Sequence, residues 1–239
     1  MSSSRLLLGR LAPLALLALL AVAPGARAAP PVSSHPLTMP AYGYLEVASV
    51  PVRVAPSRGA RVLKTLTQFE SDYRQRVIFA VGVERTASGA AGWYRVSLPG
   101  RPNGRTGWIP AAAVSLQPMY REIVIDRSSR KLELRDRGRL VLRTTVAVGR
   151  PGMQTPLGSY YVIWGFRPPD PFLGVWAFAT SAYSSLSEWP GGGIVGIHGT
   201  SAPQYLGQAV SHGCVRVSNS AVLVLKRYVR PGTAIRIVP

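Results

Sequence analysis

Between Tyr42 and Gln117 the apolar positions fall in short runs cut by turn residues: "GYLEVAS", "VRVAPSRGARVLKTL", "RQRVIFAVGVER" and "GWYRVSLPGRPNGRTGWIPAAAV". Alternation in Val52-Arg53-Val54 and in Trp93-Tyr94-Arg95-Val96 has the two-residue period of strands with one buried face. The pattern predicts a small antiparallel barrel over residues 42–117, near the size at which a domain barely sustains its own core. A second β-rich unit begins near Tyr120, with strand-like runs at Ile123 to Asp126, Lys131 to Leu134 and Leu140 to Val148, separated by the turns "RSSR" and "DRGR". A further strand is expected over Tyr160 to Trp164. Residues 166–193, aromatic and broken by Pro and Gly, read as a long loop of the kind that often serves as a lid. Only "NSAVLVLKRYV", Asn219 to Val229, has helical character, with Ser218 or Asn219 as its cap and "RPG" as its stop.

The N-terminus has a different pattern. Arg5 and Arg10 precede an apolar run from Leu11 to Val22, and Ala26-Arg27-Ala28 follows as an A-x-A cleavage pattern, so residues 1–28 are expected to be a secretory signal peptide. The run, broken by Pro13 and Pro24, falls short of the roughly 20 residues a spanning helix needs, and no stable membrane span is expected after cleavage. Residues 29–41, "APPVSSHPLTMPA", rich in Pro and Ser, read as a flexible linker with His35 solvated inside it.

Composition agrees with an exported, folded protein. Hydrophobic residues make up 47% of the chain, enough for real cores. Of 28 Lys and Arg, three lie in the expected leader, leaving 25 against 10 Asp and Glu, a net charge of +15. That balance suits anionic surroundings such as cell-wall polymers or a membrane surface. The cations are scattered, as in "RDRGRLVLRTTVAVGR", without the basic stripe and interleaved aromatics of a nucleic-acid binder, so no nucleic acid is expected.

Against this background one stretch concentrates the reactive side chains. "IVGIHGTSAPQYLGQAVSHGCVRVSN", residues 194–219, holds His198, His212 and Cys214, the chain's single cysteine. A lone cysteine in an exported chain has no internal disulfide to make, so the thiol is either buried and inert or reactive. A thiol attacks acyl carbon as thiolate, which calls for a base or a positive charge beside it. His198 ends the apolar run Ile194 to Ile197 and is expected at the C-terminal edge of a strand; a loop then returns the chain to Cys214. Gly213 permits close backbone approach, and the amides around "SHGC" can converge on a developing oxyanion. Arg216, two residues on, projects to the same face if the chain is extended there, a cation suited to a carboxylate-bearing substrate. A group orienting the histidine would be Asn219, Glu188 or a backbone carbonyl. Glu188 is the sole acidic residue from Phe172 to Pro239, which disfavours carboxylate-pair chemistry. His212 and Cys214, one residue apart, do not have zinc-ligand spacing, and neither metal nor cofactor is expected.

"TPLGSYYV" (Thr155 to Val162), "HGT" (His198 to Thr200) and "SHGCVRV" (Ser211 to Val217), in that order, resemble the signature of the L,D-transpeptidase catalytic domain, the YkuD-type fold, over residues 119–239. The resemblance implies Cys214 as nucleophile and His198 as general base and acid, its imidazole oriented by a backbone carbonyl. It implies that His212, Gly213 and Cys214 supply oxyanion amides, and that Ser211 and Arg216 shape the pocket and meet substrate. "VRVAPS", "GWYRVSL" and "GRTGWIP" resemble a bacterial SH3-like domain. The implied fold is mainly β: a small SH3-like barrel, then a YkuD-type β-sandwich catalytic domain with one short helix. The implied function is that of a cell-envelope enzyme joining peptidoglycan tetrapeptide stems, donor and acceptor, by 3→3 cross-links through a Cys thioester. A wall-binding module with a degenerate catalytic domain, or a carboxypeptidase or cysteine peptidase using water, is the alternative.

Overall fold

Residues 37–188 and 191–239 are described by the computed structural model; the expected signal peptide and most of the expected linker lie outside the described residues. The first seven strands are β1 (Ala41–Leu45), β2 (Ser49–Arg53), β3 (Val62–Thr67), β4 (Val77–Arg85), β5 (Ala91–Ser97), β6 (Thr106–Pro110) and β7 (Val114–Pro118). They form one antiparallel sheet in the order β3-β2-β6-β5-β4-β1-β7. The chain is already extended at Ala41, the last residue assigned to the linker, and its side chain is buried. Alternation holds where the sequence shows it: Val50 and Val52 of β2 point into a core with Leu45, Val96 and Ile109, while Pro51 and Arg53 between and beyond them are only partly covered.

The second region begins with β8 (Arg121–Asp126), β9 (Lys131–Asp136), β10 (Arg139–Thr145) and β11 (Val148–Gly149). It continues through β12 (Gly158–Phe166), β13 (Ala177–Tyr183), β14 (Ile194–His198), β15 (Ala209–Ser211) and β16 (Val215–Arg216) to helix α1 (Asn219–Tyr228) and β17 (Ala234–Val238). Eight strands make one sheet in the order β10-β9-β8-β17-β12-β13-β14-β16; β11 and β15 pair separately. The only α-helix among the described residues is α1, so the fold is mainly β. Ser218 caps it by accepting the Ala221 amide at 3.1 Å, and Lys226 and Arg227 in its last turn favour the negative end of its dipole. Its apolar side, Ala221, Val222 and Leu225, joins Ile123, Leu132, Leu134 and Ile235 in the larger core.

The reading of residues 166–193 as one long loop is corrected by the structure. β13 lies inside it, between β12 and β14, with its first six residues buried. "AFATSAY" escapes notice because it lacks β-branched bulk and period-two alternation: small residues allow both faces of an internal strand to be covered. The run expected over Leu140 to Val148 also divides, β10 ending at Thr145 and β11 starting at Val148.

The two sheets are joined within one compact unit, Leu37–Pro239. Phe79 of β4 stacks on Tyr161 of β12 at 4.8 Å, in a small shared core with Val77 and Ala234. The β5–β6 loop adds polar contacts. Asn103 donates to the Tyr183 carbonyl at 2.7 Å and accepts its amide at 2.9 Å. Arg101 donates to the carbonyls of Ser184, Leu186 and Gly192 at 2.9–3.0 Å.

Candidate active site

β14 and β16 run parallel and adjacent, Ile197 opposite Val215 and His198 opposite Arg216. This pairing brings together residues sixteen positions apart in the sequence: His198 ends one strand and Cys214 immediately precedes the other. The Gly196 amide donates to Cys214 Sγ at 3.3 Å. A Cβ placed on Gly196 would lie 3.8 Å from His198 Cδ2 and 3.9 Å from Cys214 Sγ, so both side chains flank the same glycine. The cleft above it, about 300 Å³, is lined by Phe166, Phe172, Gly196, His198, Cys214 and Arg216.

His198 is 3% exposed, and its Nδ1 lies 2.6 Å from the Gly199 carbonyl oxygen. A carbonyl only accepts, so Nδ1 carries the proton and Nε2 the lone pair. Burial lowers its pKa from 6.5 to about 4, helped by the Arg216 charge and opposed by the carbonyls of Gly199 and Leu173. Burial likewise raises the Cys214 thiol, against the lowering influence of the Gly196 amide and Arg216. The resting site therefore holds a neutral imidazole beside a neutral thiol rather than an ion pair.

The turn ahead of the thiol is held from both sides. Ser211 Oγ accepts the Gly213 amide at 3.1 Å and donates to the Cys214 carbonyl at 2.6 Å. Thr155 Oγ1 accepts the Gly149 amide at 3.0 Å and donates to the Gly213 carbonyl at 2.9 Å. Gly213 has φ +118°, and a Cβ there would come within 2.9 Å of Ser184 Cβ, two reasons the turn requires glycine. Of the three amides expected to meet an oxyanion, that of Gly213 is committed to Ser211 in this state. His212 lines the cleft.

Arg216 is 8% exposed, its guanidinium 4.7 Å above the Phe172 ring. Its Nε is buried and has no acceptor among the described residues, and burial lowers its pKa. A desolvated cation with an unmet donor is suited to an incoming carboxylate.

Of the candidate orienting groups, the carbonyl of Gly199 is the one on the imidazole. Glu188 is exposed and bonds Ser187. Asn219 acts one step removed, its Oδ1 accepting the amides of Val175 and Thr200, both at 3.2 Å. It thus ties the loop bearing Phe172 and Leu173 to the segment that carries the Gly199 carbonyl. Thr155 and Asn219 were visible in the sequence as polar residues near the motifs; their partners, up to 58 residues away, were not.

A buried histidine ending one strand and a cysteine just ahead of its parallel neighbour, with a cation close by, make an arrangement suited to cysteine-based acyl chemistry. Residues 120–237 match the YkuD family model, described as the L,D-transpeptidase catalytic domain. The chain is 37% identical over 118 residues to a YkuD protein of Bacillus licheniformis and 35% identical over 116 residues to one of Bacillus subtilis. The alignments span 49% and 48% of this chain and 65% and 64% of those proteins, under two thirds of each relative. Among solved structures, an L,D-transpeptidase from Mycobacterium tuberculosis H37Rv has 16% identity and a TM-score of 0.47, over 69% of this chain and 90% of that one.

Proposed function

We propose that the protein is an exported cysteine L,D-transpeptidase of the cell envelope that forms 3→3 cross-links between peptidoglycan tetrapeptide stems. The observation that carries this reading is the Cys214–His198 pair around Gly196, with the imidazole fixed by Gly199 so that Nε2 is its base. As Cys214 Sγ attacks the carbonyl carbon between the stem's third residue and its terminal D-alanine, His198 Nε2 takes the thiol proton. The tetrahedral intermediate collapses, and the same proton passes to the departing D-alanine amine, leaving a thioester on Cys214. An amine of a second stem then attacks; His198 takes the amine's proton and returns it to the sulfur as the new amide forms. The His212 and Cys214 amides stabilise the oxyanion, with Gly213 able to join if Ser211 turns away. Arg216 holds the D-alanine carboxylate. Ser211 fixes the thiol turn. The seven-stranded sheet is an SH3-like unit, and the basic surface favours anionic wall polymers.

Starting from a neutral pair, attack depends on a base that receives the proton during the step. His198→Ala should therefore slow acylation of Cys214 by about 10²–10⁴-fold, read from iodoacetamide labelling and from conversion of purified disaccharide tetrapeptide. Mass spectrometry should find the cross-linked dimer. Tripeptide alone would make water the acceptor, and equal thiol reactivity in wild type and variant would sink the reading.

A further inference from the structure

The register across β12, β13, β14 and β16 sets out the face on which catalysis is proposed. Phe166, Ala177, His198 and Arg216 lie in one row, and Trp164, Ala179 and Gly196 in another, on the same side of the sheet by two-residue alternation. Ala177, Ala179 and Gly196 make a floor of small residues, bordered by the stacked rings of Trp164 and Phe166, whose centroids are 4.5 Å apart. A second cavity of about 280 Å³ opens on this face and shares Ala179 and Ile194 with the catalytic cleft. Its other side belongs to the N-terminal sheet, through Lys64, Glu70, Arg74, Arg76 and Ser97.

We propose that this second cavity is a substrate subsite supplied by the N-terminal sheet, and that it takes the carboxylate-bearing inner part of a stem peptide whose reacting end lies at Cys214. The proposal rests on the transpeptidase reading above. Its chemistry follows from what is already paired. Arg76 meets Glu70 at 2.7 Å, and Arg74 meets Asp72 through Nε at 2.7 Å. Lys64 has no hydrogen bond or ion pair among the described residues, so of the three cations on this wall it is the one without a counter-charge. The Trp164 ring is an unsuitable sugar platform, because Arg74 covers it at 3.9 Å and Phe166 stacks on it too. A peptide carboxylate reaching Lys64 along the alanine floor fits the wall better than a glycan does.

The test is equilibrium binding of a synthetic tetrapeptide to the full chain carrying Cys214→Ser, so that nothing turns over. Adding Lys64→Glu should weaken binding about tenfold, since a like charge replaces the proposed partner. A peptide with its internal carboxylates amidated and its terminal one free should lose most of that sensitivity. Lys64→Gln should fall between. Unchanged affinity in Lys64→Glu, or an equal loss with the amidated peptide, overturns the proposal, as does tenfold weakening confined to a glycan-bearing ligand. Acylation of wild-type Cys214 by the tetrapeptide, measured separately, tests the transpeptidase reading: a reactive thiol with a flat Lys64 response removes only the subsite.

Discussion

The N-terminal sheet and the sheet bearing Cys214 are built from similarly short strands, yet they treat polar side chains differently. In the first region the buried side chains are apolar; the buried polar and charged residues among those described, from Thr155 to Thr233, all lie in the second. Most of them bond to main chain: Thr180 to the Val195 carbonyl, Ser181 to the Tyr161 amide, Thr155 and Ser211 to the turn before the thiol. Arg216 Nε is the exception with no partner. Burying such groups costs stability unless each is matched, so the second region gives up stability to fix a site, and its larger apolar core offsets that cost.

If the contrast is right, acid should attack the second region first. His198 has a folded pKa of about 4 against 6.5, so the unfolded chain binds its proton more readily. Stability from this group is fully present above pH 6.5 and is lost as pH falls toward 4, by about 3 kcal/mol in all. The surface carboxylates Asp72, Asp126 and Glu133 are also lowered, chiefly by bonds from Arg74, Ser129 and Arg143, so the His198 variant is needed to separate its slope from theirs. Denaturant melts across this range should show the slope in wild type and lose it in His198→Gln; a slope that persists would place its origin elsewhere.

A smaller effect tests the seam between the regions. Asn103→Ala leaves both main-chain groups of Tyr183 without their partner, at a cost of about 2 kcal/mol. Hydrogen exchange should locate the loosening in 183–188 and 191–193 rather than in the N-terminal strands. Protection unchanged there would mean that the Arg101 bonds and the apolar core around Phe79 and Tyr161 hold this segment without Asn103. Least of all, Ser218→Ala should cost about 1 kcal/mol in a chemical melt, because it removes only the cap of α1.

Much of this was legible from residue order. The strands on either side of the "DRGR" turn, a helix capped at Ser218 or Asn219, and His198 at a strand end all follow from local pattern and punctuation. β13 was hidden because an internal strand of small residues carries no alternation, and the aromatic, Pro-rich residues around it suggested a loop. Register was also beyond reach. Nothing local places Trp164 opposite Ala179, or Arg101 against Ser184, 83 residues on, since such contacts are set by tertiary packing. Proximity along the chain alone would have put His212 nearest the thiol, whereas the parallel pairing of β14 with β16, the strand that follows Cys214, also brings His198 to it.

The knot at Asn219 has a consequence for inheritance. A Cβ on Gly174 or Gly199 would fall 2.3 or 2.2 Å from its Oδ1, so neither glycine can enlarge while that oxygen remains. Shortening Asn219 would make room at Gly199 alone, since a Cβ on Gly174 would still meet the backbone of Gly199 and Thr200 at 2.5 Å, and it would release the amides of Val175 and Thr200. Gly174 is thus fixed whatever stands at 219, while Gly199 and Asn219 can drift only together, and a lineage that changed Asn219 would have to find a new acceptor for two amides.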